Sequence, residues 1–196
     1  MLPIEKRIKT HTQLMSWLGY EKAQYAITWR HYIGYLLGIS EKGILWQHQV
    51  FLRKAEYHTN ANHKWRAFYY RFRLRRMQTK YLLSIPLNVC GKGLRIMHLG
   101  LVRININAQV GENCSFHVNT TLVAKGTSGE APVLDEGVIV GVGASVIGGV
   151  YVAKNVAVGA LAVVTKDVKE ENVAVAGIPA KPISKNGAVE WKKTAQ

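Results

Sequence analysis

Acidic residues are scarce: 12 Asp plus Glu stand against 26 Lys plus Arg, a formal charge of +14. Such an imbalance raises the local concentration of anionic partners, whether nucleic acid, acidic lipid headgroups, a phosphorylated carrier or a charged polysaccharide. With two cysteines, Cys90 and Cys114, the chain cannot build a disulfide framework or a recognisable metal site. Proline is also rare, 5 against 18 glycines in a chain that is 48% hydrophobic, which excludes disordered and collagen-like classes. Long apolar runs are missing; the nearest, Ile33 to Ile39, is short and broken by glycine, so no spanning helix is expected. The first 30 residues lack a basic stretch followed by an apolar core and a small-residue cleavage site, which points to the cytoplasm. Nor is there a zinc knuckle or RNP signature, so nucleic acid is a weak candidate partner. A chain of 196 residues makes one domain, or one with a small appendage.

What is present divides into two halves. Residues 1–82 are aromatic and basic. Between Arg53 and Lys80 lie nine basic residues and a single acid, Glu56. Helical spacing predicts one helix from Glu41 to about Tyr57, with Ile44, Leu45, Val50, Phe51 and Leu52 as its apolar stripe. A second is predicted from Asn62 to Tyr81, where Trp65, Phe68, Tyr69, Phe72 and Met77 recur at three and four residues beside Arg66, Arg71, Arg73, Arg75 and Arg76. Its aromatic stripe is expected to pack on the core or a partner, and its cationic side to meet solvent or an anionic membrane surface. Trp17, Tyr20, Tyr25 and Trp29 suggest further helix before residue 40.

After Ile85-Pro86 the pattern changes. Aliphatic or aromatic residues return at multiples of six: Val110, Phe116, Leu122, Leu134, Val140, Val146, Val152, Val158 and Val164. Small or β-branched residues follow four places on, among them Cys114, Thr120, Ala144 and Ala162, so both cysteines read as core thiols. Six residues at about 100° each would turn a helical side chain to the far face. Three short strands per turn fit instead, each face sending one large side chain inward and stacked coils hydrogen-bonding to one another. Regular positions are therefore packing, and function is expected where the pattern breaks.

It breaks in four places. Cys90, Ile96 and Val102 share one phase and Val110 onward another, which places a register slip between Val102 and Val110 and leaves His98 outside the prism. His117 lies 19 residues beyond His98, about one coil further. The run Lys125-Gly126-Thr127-Ser128-Gly129-Glu130-Ala131 reads as a loop thrown out of the prism. Finally Val175 to Pro182 ends the repeat.

The runs Gly93 to Gly100, Ala108 to Cys114, Val140-Gly141-Val142-Gly143-Ala144, Val164-Thr165-Lys166-Asp167 and Ala176 to Lys181 resemble the hexapeptide-repeat acyltransferases. Within them the similarity is greatest to the serine-acetyltransferase-like branch, including members of capsule and exopolysaccharide gene sets, and it covers roughly residues 84–184. It implies a mainly β fold, a left-handed parallel β-helix over 83–184 preceded by an α-helical, basic region over 1–82 and followed by a tail, 185–196. It also implies a homotrimer with sites in the clefts between subunits, acetyl-CoA as co-substrate and no metal. His98 matches the general base that takes the acceptor hydroxyl's proton, and His117 is assigned a supporting role. Val142 and Ala160 match corner residues facing pantetheine, Thr165 and Lys166 lie where the adenine nucleotide is met, and Lys181 is placed to add charge for its phosphates.

The acceptor side departs from serine acetyltransferases. Leu83 stands where they carry an acid that orients the histidine, Ala131-Pro132 where they have a second histidine, and Met97 where they have another acid. These absences favour a sugar hydroxyl of a cell-surface polysaccharide or its precursor over serine. A β-helix that serves as a non-catalytic scaffold is the alternative from another class.

Overall fold

The structure is a computed structural model and describes residues 1–127 and 129–188. Four helices precede the coil: α1 (His11–Gln24), α2 (Trp29–Leu36), α3 (Glu41–Asn60) and α4 (Lys64–Tyr81). Thr10 caps α1 by accepting from the Gln13 N–H at 3.2 Å, while the Gln13 side chain accepts from the Thr10 N–H at 3.0 Å. Ser40 starts α3 by accepting from the Gly43 N–H at 3.1 Å. α3 buries Ile44, Leu45, Phe51 and Leu52 as expected, with Val50 half-buried.

Of the predicted stripe on α4, Met77 alone turns to the core. Ala67, Leu74 and Met77 are its buried residues, whereas Trp65, Phe68, Tyr69 and Phe72 are 88%, 70%, 49% and 52% exposed. Spacing shows that those aromatics share a face. It does not say which face turns inward, and here smaller side chains allow α4 to lie close against α3 and the first coil.

Short strands then wind through three faces in turn. Face A holds β1 (Leu83–Ser84), β3 (Val102–Ile104), β6 (Thr120–Val123), β9 (Ser145–Ile147) and β12 (Val163–Val164). Face B holds β4 (Gln109–Val110), β7 (Val133–Leu134) and β10 (Tyr151–Val152). Face C holds β2 (Arg95–Ile96), β5 (Ser115–Phe116), β8 (Ile139–Val140), β11 (Ala157–Val158) and β13 (Ala174–Ala176), closed by antiparallel β14 (Lys181–Ser184). All nine residues of the repeat, from Val110 to Val164, are buried, and so are Cys90 and Cys114. Gly141 shows why the corners are small: a Cβ there would lie 2.8 Å from the Val158 carbonyl oxygen of the next coil.

The register slip lies one corner earlier than the sequence suggests. Val102 aligns with Thr120 and Ile104 with Leu122, so both point inward across Arg103. The surplus residues therefore sit between Ile96 and Val102, in the corner that carries His98. The insertion before β7 does leave the prism; Ser128 lies outside the described residues, as does most of the predicted tail.

A buried ionic knot fastens the helices to the first coil. Arg53 of α3 contacts Glu21 at 2.8 Å and Glu56 at 2.9 Å, and donates to the carbonyls of Cys90 at 2.9 Å and Gly91 at 2.6 Å. Glu21 accepts from the Gly93 N–H at 3.0 Å and Glu56 from the Asn88 N–H at 2.8 Å. Burial alone disfavours the guanidinium charge, but the two carboxylates outweigh it and hold Arg53 protonated. Beside it, His48 and Gln49 are buried without side-chain hydrogen bonds among the described residues. Burial, helped by the charge of Arg53, pushes His48 down to about 4.

Candidate active site

The corner between faces C and A gathers most of the predicted site. Between β2 and β3 it carries His98; between β5 and β6, His117; between β8 and β9, Val142; between β11 and β12, Ala160. These corners stack: the Met97 N–H donates to the Phe116 carbonyl at 2.9 Å, Gly143 to Val118 at 3.0 Å, and Leu161 to Val142 at 2.8 Å. With coils about 4.8 Å apart, the column runs from His98 down one edge of the prism. Lys181 lies at its far end, opening β14 opposite Ala176. Below the histidines the edge is apolar and open, with Val142, Leu161 and Ile178 at 42%, 70% and 75% exposure.

His98 is exposed, and its imidazole has a partner that the strand-by-strand reading missed. Glu41, the first residue of α3, sets Oε2 3.5 Å from His98 Nδ1, and its Oε1 accepts from the Leu99 N–H at 2.7 Å. An acid at a helix N-terminus is favoured by the helix dipole, and the Ser40 cap fixes where α3 begins. The Arg53 knot, just over three turns along the same helix, sets how α3 meets the coil. Tyr25 adds a second tie, accepting from the Ile96 N–H at 2.8 Å. Leu83, at the position where serine acetyltransferases carry an acid, is fully buried in β1. The only signal in the sequence for Glu41 was the Ser40-Glu41 helix start; that residues 41 and 98 meet is a tertiary fact.

His117 is half-buried, and its Thr120 neighbour donates to its carbonyl at 2.9 Å. Burial pushes its pKa down, and the nearby positive fields of His98 and Arg95 push it further the same way. It is thus held neutral near pH 7, able to donate from one ring nitrogen and accept at the other.

Thr165 and Lys166 are not brought to this edge. They follow β12 and are exposed at the corner between faces A and B. The loop after β6 lies on that same corner: Lys125 packs beside Gly148, Glu130 beside Gly149, and the Gly129 carbonyl accepts from Asn107 at 3.2 Å. The predicted residues thus fall on two edges of one prism, separated by face A. No group of three or more His, Cys, Asp or Glu side chains is placed to hold a metal among the described residues.

No protein-family model matches the chain. It is similar to the serine acetyltransferase of Synechococcus elongatus, 38% identical over 99 residues that make up 50% of this chain and 40% of the relative. To the serine acetyltransferase of Helicobacter pylori strain J99 it is 33% identical over 132 residues, 65% of this chain and 76% of the relative. The chain belongs to the serine-acetyltransferase type of hexapeptide-repeat acyltransferases. A solved member, the serine acetyltransferase of Brucella abortus in complex with coenzyme A, superimposes with a TM-score of 0.64 at 25% identity, over 90% of this chain and 70% of that one. The fold is therefore the left-handed parallel β-helix of this family, preceded by an α-helical segment. The match covers 40%, 32% and 38% of the Synechococcus, rice and Salmonella members, so the chain spans well under half of them.

Proposed function

We propose that the chain is an acetyl-CoA-dependent O-acetyltransferase in which His98 is the general base and Glu41 holds its imidazole in place. The Glu41–His98 pairing carries this reading: a carboxylate 3.5 Å from Nδ1 favours the tautomer protonated there, which leaves Nε2 to accept the proton of an acceptor hydroxyl. The hydroxyl oxygen then attacks the thioester carbon. Collapse of the tetrahedral intermediate breaks the C–S bond, and the proton on His98 passes to the leaving thiolate. His117, neutral and one coil away, is suited to hold the acceptor or the developing oxyanion by a hydrogen bond.

The open apolar edge of Val142, Ala160, Leu161 and Ile178 suits the pantetheine arm, with Lys181 at the end where its phosphates would lie. Thr165 and Lys166 join that site only if the A-to-B edge of one copy abuts the C-to-A edge of another. Such a head-to-tail contact, with a rotation of one third of a turn, is the one that closes a homotrimer.

For the acceptor, likeness to serine acetyltransferases favours L-serine and reverses the preference drawn from sequence. Glu41 also removes one reason for that preference, because it supplies the acid that Leu83 lacks. A sugar hydroxyl is the second reading, favoured by Ala131-Pro132 and Met97, which leave the acceptor side without the histidine and acid of serine acetyltransferases.

The test is acetyl transfer from acetyl-CoA, with serine and a panel of saccharides offered separately. Serine is expected to be the better acceptor; turnover confined to saccharides would select the second reading. His98→Ala is expected to lower kcat by about 10²–10⁴-fold. Glu41→Gln should lower kcat more than it raises KM, with Glu41→Asp recovering part of the loss. Equal CoA release by wild type and His98→Ala with every acceptor would leave a non-catalytic scaffold.

A further inference from the structure

The outward face of α4 has no role in the site described above. The helix carries seven basic residues and no acid. At about 100° per residue, Trp65, Phe68 and Phe72 fall within about 60° of arc, roughly opposite the buried Ala67 and Leu74. They are 88%, 70% and 52% exposed, so the largest apolar side chains of this helix face away from the core. The cations line both flanks of that stripe, with Lys64, Arg71 and Arg75 on one side and Arg66, Arg73, Arg76 and Lys80 on the other. Arg76 lies over the Phe72 ring at 5.8 Å, and Arg73 is tied back to the Tyr69 hydroxyl at 3.1 Å. Beside the stripe a groove of about 790 Å³ runs between α4 and the first coil, its floor made by Ile85, Pro86 and Ile106 and its rim by Arg71 and Arg75.

We infer that α4 docks the protein on an anionic phospholipid surface. An aromatic stripe between two rows of long cationic side chains is the geometry of a helix lying in the plane of a bilayer interface. The rings enter the headgroup region while the guanidinium groups reach phosphates on either side. A second copy of α4 is a poor occupant, because two faces bearing seven cations each and no acid repel one another. A nucleic-acid duplex would satisfy the cations but offers the outward rings nothing to be buried in. No helix among the described residues is long and apolar enough to cross a membrane, so this contact is to the surface.

The experiment is co-sedimentation of the full chain with phosphatidylcholine vesicles, with and without phosphatidylserine, at fixed salt. The wild type is expected to partition onto vesicles containing phosphatidylserine and to stay in solution with phosphatidylcholine alone. Replacing Arg71, Arg75 and Arg76 together by Gln should weaken partitioning roughly a hundredfold, from about tenfold or less per cation. Replacing Trp65, Phe68 and Phe72 together by Ser should also weaken it at least about tenfold. These positions are exposed, so both variants should keep the wild-type circular dichroism and the wild-type rate of transfer to a soluble acceptor without vesicles. That second readout separates failure of the docking inference from failure of the enzymatic reading. Wild-type partitioning by the aromatic variant overturns the inference, as does absence of binding to vesicles containing phosphatidylserine. Release of the protein from such vesicles by a short DNA duplex at equal charge concentration also overturns it, in favour of a nucleic-acid surface.

Discussion

From Val110 to Val175 the prism buries aliphatic and small side chains and one phenylalanine, Phe116, with Ser115 and Thr120 as its buried polar residues among those described; the helical region buries Arg53, Glu21, Glu56, His48 and Gln49. The two regions are therefore specified differently. Coil upon coil, the prism repeats one shallow solution, and each inward valine adds its own increment of apolar burial. The helical region adds to its apolar core a few buried polar contacts that tie α3 to the first coil. This attachment aims Glu41 at His98, so the region with the less regular core sets the geometry of the regular region's one exceptional corner.

Breaking the knot should give the largest change in stability. Arg53→Met leaves Glu21 and Glu56 buried without their counter-charge and is expected to cost about 3–5 kcal/mol in urea unfolding. Replacing all three members by apolar residues of similar volume should recover only part of that loss: no charge is then stranded, but the carbonyls of Cys90 and Gly91 and the N–H groups of Asn88 and Gly93 lose their partners. In the prism, Val158→Ala should cost only about 1–2 kcal/mol, from lost burial and a small cavity. If Arg53→Met were as mild as Val158→Ala, the contrast between ionic and aliphatic fastening would not hold.

The next effect depends on pH. Burial lowers the folded-state pKa of His48 to about 4, while the unfolded chain titrates near 6.5. As pH falls the unfolded chain therefore takes up the proton first. The contribution of a neutral, buried His48 is complete above about pH 6.5 and is lost progressively toward pH 4, up to about 3 kcal/mol. Urea midpoints of wild type should fall across this window, and those of His48→Leu should fall less. Parallel curves for the two proteins would assign the acid sensitivity to other groups.

How much of this the sequence revealed follows from the range of the interactions. The prism was legible because a six-residue period is local and repeated; Val110 through Val164 all went where their spacing sent them. The slip was misplaced by one corner because Val102 and Ile104 both face inward, and an alternating pair satisfies either phase. On α4, Trp65, Phe68 and Phe72 have the spacing of a core stripe whichever way they face, so spacing left core and partner equally open. Glu41 was invisible as a partner of His98, because nothing local to either residue records that the start of α3 meets the first corner.

The smallest effects give the sharpest contrast, since the same substitution should have opposite signs in the two regions. At Gly141 an alanine Cβ would stand 2.8 Å from the Val158 oxygen and 2.9 Å from the Ala160 nitrogen. Both are backbone atoms of the next coil, which cannot turn aside as a side chain can. Gly141→Ala must therefore spread two coils at the edge that carries Val142 and Ala160, at a cost of about 1–3 kcal/mol. Gly19, in the interior of α1, has nothing within 4 Å of the corresponding position. There the added methyl group meets no neighbour, while the unfolded chain loses freedom, so Gly19→Ala should stabilise by about 0.5–1 kcal/mol. Thermal melts of the two variants should move in opposite directions from wild type. A downward shift for both would mean that α1 is packed by something beyond this chain, and an unchanged Gly141→Ala would mean that the coils are less closely stacked than their hydrogen bonds require.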